Sequence, residues 1–238
     1  HPCLLESGKL MKFDRVVANP PFSLDKWGAE DAASDPYGRF TRGVPPKSKG
    51  DWAFVLHMIE TAQNQAGRVV VVVPHGVLFR GASEGRIREQ IVTENLLDAV
   101  IGLPEKLFST AAIPVALLVF DRRREKGGAR EDLKNVLFVD ASKEFESGRN
   151  QNILTAANID RIIETVETRQ EVEKFAHLAT PKEMTENGYN LNVPRYVDSF
   201  NEEEEIDIAA VQAEIDALDK ELSETRDRLR DHLRGLGL

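Results

Sequence analysis

Residues 69–73 are five consecutive valines, preceded by Gly67-Arg68 and stopped by Pro74. A β-branched run this short, bounded by Gly and Pro and with no polar residue for a solvent face, predicts a strand covered on both sides, as in a parallel sheet between layers of helices. The flanking segments alternate to match. Residues 13–18 read as a strand stopped by Asn19-Pro20-Pro21, because proline lacks a ladder donor and holds its predecessor extended. Asp51 is the expected N-cap of a helix over residues 51–65, with Phe54, Val55, Met58, Ile59 and Ala62 on one face. A further helix is expected over 85–95 and strands over 97–103 and 115–120. This order is that of an α/β protein.

The rest of the chain divides the expected domains at about residues 150 and 200. After the main α/β unit, 1–150, comes a helical and irregular extension over 151–200. It contains a helix over 156–170 capped by Thr155, then irregular chain over 180–200. Ahead of it lie a polar link over 122–132 and a strand over 136–139. Residues 23–50, between the first strand and the first helix, are rich in Gly, Pro, Ser and Asp, and a loop of that length in a compact domain is usually functional or disordered. Residues 201–238 form a tail in which Ile208, Val211, Ile215, Leu218, Leu222, Thr225, Leu229 and His232 recur at alternating spacings of three and four. That is the seam of a coiled coil, and one helix with such a seam needs a partner, or its own domain, to bury it.

Charge sharpens this division. The chain has 238 residues and a formal charge of −9, which by itself argues against a nucleic-acid surface. Residues 199–238 carry twelve acids against five bases, so the tail holds −7 of the total and the body only −2. The longest apolar runs, 69–73 and 115–120, fall far short of the roughly 20 residues that cross a bilayer, so no membrane span is expected. No leader sequence is visible, and the single cysteine, Cys3, can make neither an internal disulfide nor a zinc cage. A cytoplasmic protein without a structural metal is expected. Because the chain begins with His1, it reads as a piece of a longer one.

Asn19-Pro20-Pro21-Phe22, at the C-terminal end of what reads as a buried strand, is the sharpest chemical feature. In doubly wound sheets ligands bind outside the carboxyl ends of the strands, where this turn falls. Two successive prolines remove two backbone donors and leave a rigid edge showing the Asn19 side-chain oxygen and backbone carbonyls as acceptors. Phe22 adds an aromatic face. A planar heterocycle with an exocyclic amine would stack on Phe22 and donate its N–H groups to Asn19 and to the Pro20 carbonyl. Such bonds localise the nitrogen lone pair and strengthen as positive charge develops during attack.

This tetrapeptide resembles the catalytic motif of S-adenosylmethionine-dependent amino-methyltransferases. Further blocks come in order: Val44-Pro45-Pro46-Lys47-Ser48-Lys49-Gly50-Asp51-Trp52-Ala53-Phe54-Val55, Val73-Pro74-His75-Gly76-Val77-Leu78-Phe79-Arg80, Gly102-Leu103-Pro104 with Leu107-Phe108, and Asn192-Val193-Pro194-Arg195-Tyr196. Together they resemble the modification subunit of type I restriction-modification systems. The resemblance implies a Rossmann-like methyltransferase sheet and adenine-N6 methylation of double-stranded DNA. Its implied partners are a specificity subunit, a second modification subunit and a restriction subunit. Asn19 and Pro20 would hold a flipped adenine's amine, Pro21 would stiffen the turn and Phe22 would stack on the ring. Asn19 would also edge the cofactor pocket. The family's Gly-rich cofactor turn has no counterpart here, so the chain resembles the C-terminal part of the subunit, inactive by itself.

Arg39, Arg42, Lys47 and Lys49, in the loop after the motif, are candidates for clamping DNA phosphates. Arg122, Arg123, Arg124 and Lys126 read instead as a solvated surface. His57 and His75 read as structural, and Trp27 and Trp52 either pack the loop or contact DNA. In the tail, Ile208, Val211, Ile215, Leu218, Leu222 and Leu229 are the expected partner-binding positions. Two rivals share these features: a methyltransferase acting on a protein glutamine or an RNA base amine, and a non-catalytic assembly module.

Overall fold

A computed structural model describes residues 5–108, 112–199 and 208–235. The chain divides into two compact units, His1–Ser199 and Phe200–Leu238. Within the first, six strands make one sheet: β1 (Arg15–Ala18), β2 (Arg68–Pro74), β3 (Leu97–Gly102), β4 (Val115–Asp121), β5 (Val136–Asp140) and β6 (Ala176–Ala179). Their spatial order is β6-β5-β3-β4-β2-β1. The sheet is mixed: β1 runs parallel to β2 and β3 parallel to β5, while β4 is antiparallel to both of its neighbours and β6 is antiparallel to β5. The carboxyl ends of β1, β2, β3 and β5 therefore share one edge.

The helices of this unit are α1 (Asp51–Thr61), α2 (Gly76–Phe79), α3 (Ala82–Thr93), α4 (Ala156–Thr168) and α5 (Pro181–Glu186). The valine strand is covered less evenly than its sequence suggests. Val69, Val71 and Val73 are buried with Trp52, Val55, Leu56 and Ile59 of α1 and with Ile87 and Ile91 of α3. Val70 and Val72, pointing the other way, are only half-buried against a second core of Ala99, Ile101, Val119, Leu137, Val139 and Ile162. That second layer is built by α4, which packs over β5 and leaves the β1–β2 end of this face more open. The strand that leads into Asn19 is likewise not the buried strand expected. Among the described residues β1 has one neighbour, β2, and Val17 is 75% exposed.

Element ends reflect local chemistry. α1 starts at Asp51 with Gly50 as its cap and stops at Thr61, where Ala62 turns extended and bridges to Phe13. The Thr155 cap of α4 is as expected, and Asn158 completes a capping box. α5 lies within the segment expected to be irregular. Its signal is Thr180-Pro181-Lys182-Glu183, a capping box with proline at the first helical position.

The second unit is α6 (Ile208–Gly235), 28 residues long. Ile215, Leu218, Leu222 and Leu229 are all exposed along it, and Leu233 continues the stripe. The side chains of Ile208 and Val211 lie outside the described residues. No described helix is long and apolar enough to cross a membrane.

In the basic cluster after β4, Arg122 and Arg124 are buried and structural, whereas Lys126 is exposed as expected. Arg124 is fully buried and Arg122 is 6% exposed. Arg124 donates to Asp98 at 2.6 Å and Arg169 donates to the same carboxylate at 2.7 Å. Arg123 and Arg130 each reach Asp121 at 2.7 Å. Burial alone would raise the Asp121 pKa, but the Arg123 and Arg130 hydrogen bonds pull it down to about 2. Asp121 stands next to the run in sequence, but Asp98, which holds the buried Arg124, lies on the neighbouring strand β3, 26 residues away, where patterning does not reach. The cluster closes the edge of the sheet opposite the Asn19 turn. Asp98→Ala leaves the Arg124 guanidinium buried without its carboxylate, so urea denaturation should show a loss of about 3–5 kcal/mol of unfolding free energy. A loss below about 1 kcal/mol would contradict this structural role.

Candidate active site

At the shared carboxyl edge, β1 ends at Ala18, paired with Val71, while β2 continues to Pro74. The turn Asn19-Pro20-Pro21-Phe22 thus emerges beside the last residues of the valine strand. Asn19 is exposed, and among the described residues no hydrogen bond occupies its side-chain amide. Pro20 is half-buried and Pro21 exposed. Phe22 packs half-buried on the second core, to which Val70, Val72, Leu107 and Phe108 also belong. The turn therefore presents an open amide next to an aromatic ring that the sheet holds in place.

The chain leaving Phe22 is clamped. Ser23 takes a left-handed backbone, φ 50°, uncommon for a residue with a side chain. Its N–H donates to Asp51 Oδ1 at 2.6 Å, and the other carboxylate oxygen of Asp51 accepts from Arg80 at 2.5 Å. Arg80 also pairs with Glu84 at 2.6 Å, and both carboxylates are almost fully buried. A second tie runs from Leu24, whose carbonyl accepts the Gly50 N–H at 2.8 Å. Trp27 lies against Gly50 so closely that a Cβ there would sit 2.9 Å from the indole, and its Nε1 donates to the Pro46 carbonyl at 2.9 Å. The blocks around Pro46–Asp51 and Pro74–Arg80 thus converge on the residue after the motif. The Asn192–Tyr196 block serves the core instead, where Tyr196 stacks on Phe138 with centroids 3.7 Å apart and donates to the Asn190 carbonyl. Burial pushes its phenol up to about 12.

The four candidate phosphate contacts are differently placed. Arg42 pairs with Glu60 at 2.6 Å and with Glu94 at 2.7 Å, tying the loop to α1 and to the end of α3. Arg39 is held by Asp35 at 2.5 Å. Lys47 is exposed and Lys49 half-buried. His75 Nε2 lies 3.2 Å from the Val115 carbonyl, and burial lowers its pKa. Trp52 is fully buried in the core, so of the two tryptophans only Trp27 belongs to the loop surface. Among the described residues, no group of three or more His, Cys, Asp or Glu side chains is placed to hold a metal ion.

The chain as a whole has counterparts among known proteins. The chain is 34% identical over 232 residues to the methylase subunit of the type I restriction enzyme MjaVII of Methanocaldococcus jannaschii, covering 94% of this chain and 39% of that protein. It is 33% identical over 232 residues to the MpnII methylase subunit of Mycoplasma pneumoniae, covering 96% and 40%. The crystal structure of a type I restriction-modification methyltransferase subunit from Streptococcus thermophilus superimposes with a TM-score of 0.73 and 44% identity, over 80% of this chain and 39% of that one. The chain spans about two fifths of the length of the curated relatives it matches. The N-6 DNA methylase family model matches residues 4–205, nearly the whole of the sheet-bearing unit. The chain belongs to the N-6 DNA methylase family.

Proposed function

We propose that this chain is the catalytic-turn part of a type I modification methyltransferase that methylates the exocyclic N6 of adenine in double-stranded DNA. The observation that carries the proposal is the open Asn19 amide beside the half-buried Phe22, on a turn whose far end is fixed by Asp51. In the reaction, the amine of a flipped adenine donates to the Asn19 side-chain oxygen and the Pro20 carbonyl, while its ring stacks on Phe22. As nitrogen becomes electron-poor during attack, both accepted bonds strengthen, so the turn favours the transition state over the ground state. S-adenosylmethionine supplies the electrophilic methyl group when bound. Asn19 lies at the edge of its pocket, and the remaining part, including a Gly-rich turn, is furnished by protein outside this chain. The outer edge of β1, without a strand partner among the described residues, and the 75% exposure of Val17 support a sheet that continues there.

Recognition of the DNA sequence is delegated in this scheme to a specificity subunit, in an assembly that also includes a second modification subunit and a restriction subunit. Lys47 and Lys49, with Arg39, contact phosphates of the DNA, and Arg42 stiffens the same loop through its two glutamates. α6 docks on helices of the specificity subunit through Ile215, Leu218, Leu222 and Leu229, with Ile208 and Val211 completing the seam. Their exposure on a helix of 28 residues supports this for the first four.

In the complete enzyme, Asn19→Ala should abolish methyl transfer to DNA while circular dichroism stays unchanged, and retained transfer would refute the role of the turn. Supplying RNA and protein acceptors in the same assay separates the rival amine substrates. Asp51→Asn should loosen the loop, speeding hydrogen exchange at the Ser23 amide by about tenfold or more, the scale of a lost charge-assisted hydrogen bond. Unchanged protection there would remove Asp51 from its positioning role. Deleting residues 203–238 should abolish co-purification with the specificity subunit, and intact binding would refute the docking assignment.

A further inference from the structure

The arginine network at the sheet edge opposite the Asn19 turn holds more positive charge than its carboxylates neutralise. Five arginines, Arg68, Arg123, Arg124, Arg130 and Arg169, surround the two buried carboxylates of Asp98 and Asp121, which leaves a surplus of three. Arg124 and Arg169 are satisfied internally: besides Asp98, each donates to the Asn135 carbonyl, at 2.9 and 2.8 Å. The other three keep donors to spare. Arg130 gives one nitrogen to Asp121, and Arg123 retains a terminal nitrogen outside its two side-chain bonds to that carboxylate. The Arg68 guanidinium makes no hydrogen bond among the described residues, and its ionic contact with Asp98 is a long 3.9 Å. The side chains of Arg68, Arg123 and Arg130 are 32%, 33% and 29% exposed, so these donors are within reach of solvent.

The surplus opposes folding. Parallel pairing of β1 with β2 sets Arg15 beside Arg68, like charges matched across two strands. Burial, and then repulsion from Arg169 and Arg130, holds Arg124 below the ordinary guanidinium range in spite of Asp98. An anion bound at this edge relieves that repulsion. Arg123 and Arg130 both reach Asp121 Oδ2 at 2.7 Å, and Arg130 and Arg68 approach Asp98 Oδ2 at 3.7 and 3.9 Å, so the three guanidinia are neighbours. They come from three segments: the start of β2, the turn after β4 and the loop that follows it. Three forks from separate segments suit a tetrahedral oxyanion, whose oxygens point in several directions, better than a planar carboxylate. We propose that Arg68, Arg123 and Arg130 form a binding site for a phosphate group. The site shares no residue with the methyl-transfer scheme and does not rest on it.

Thermal unfolding of the purified chain, followed by circular dichroism at constant ionic strength, reads out binding without any need for methyl transfer. Inorganic phosphate at about ten times its dissociation constant should raise the midpoint by about 3–6 °C. Arg68→Met keeps the aliphatic stem but not the charge. In this variant the rise should vanish, while the midpoint without phosphate stays level or climbs because a repelled cation has gone. Arg68→Lys restores the charge without the fork and should recover part of the rise. No rise in the unaltered chain overturns the site, and an equal rise in Arg68→Met reduces the effect to general salt stabilisation and overturns it too. A midpoint about 3 °C or more lower in Arg68→Met without phosphate would mean that Asp98 already neutralises Arg68, which also overturns the proposal. Once the Arg68-dependent rise is seen, ATP and a short DNA duplex in separate titrations distinguish a nucleotide phosphate from a nucleic-acid backbone as its source. A rise with tetraglutamate and none with phosphate would replace the phosphate by an acidic protein segment and overturn the assignment.

Discussion

The strand Arg68–Pro74 is hydrogen-bonded along both edges, parallel to β1 on one side and antiparallel to β4 on the other, and the remaining architecture is arranged around it. Its inward valines fix α1 and α3 on one face, and its parallel register with β1 brings the Asn19 turn to the edge of the sheet where β2 ends. A one-residue slip of β1 in that register would turn its side chains, Val17 among them, to the other face. The Asp98 and Asp121 ion pairs close the opposite edge, so the sheet is tied by buried charge at one end and carries its chemical groups at the other.

Asp51 links this scaffold to the site. It begins α1, is almost fully buried, and satisfies both the strained Ser23 N–H and the Arg80 guanidinium. A rigid Pro-Pro edge holds geometry only if the chain leaving it is also held, and Asp51 supplies that second restraint. The same clamp directs the loop back over α1, where Trp27 seats on Gly50. Turn and loop are thus consequences of one local packing solution.

Much of this was legible in the sequence, for identifiable reasons. The valine run, the Gly and Pro stops and the Thr155 cap are local signals, and β2, β3, β4 and α4 lie close to where those signals put them. The order of strands was not legible, because an antiparallel β4 between β2 and β3 depends on pairings distant in sequence. For the same reason β1 reads as buried although it lies at an edge, since periodicity reports the apolarity of Val16 and Val17 but not their number of neighbours. In the Arg122–Arg124 run, charge density suggests solvent, yet the adjacent Asp121 and Asp98 from the neighbouring strand neutralise it within the protein. At the site the tetrapeptide was plain, whereas the Ser23–Asp51 and Trp27–Gly50 contacts required the fold.

In the proposed function the Asn19–Phe22 turn, together with the rest of its sheet, activates the exocyclic amine of adenine. Nucleoside analysis of DNA modified by the complete enzyme with isotopically labelled S-adenosylmethionine tests it most directly. The label should elute as N6-methyl-2′-deoxyadenosine. Label recovered on cytosine, or in RNA or protein and not in DNA, would contradict it.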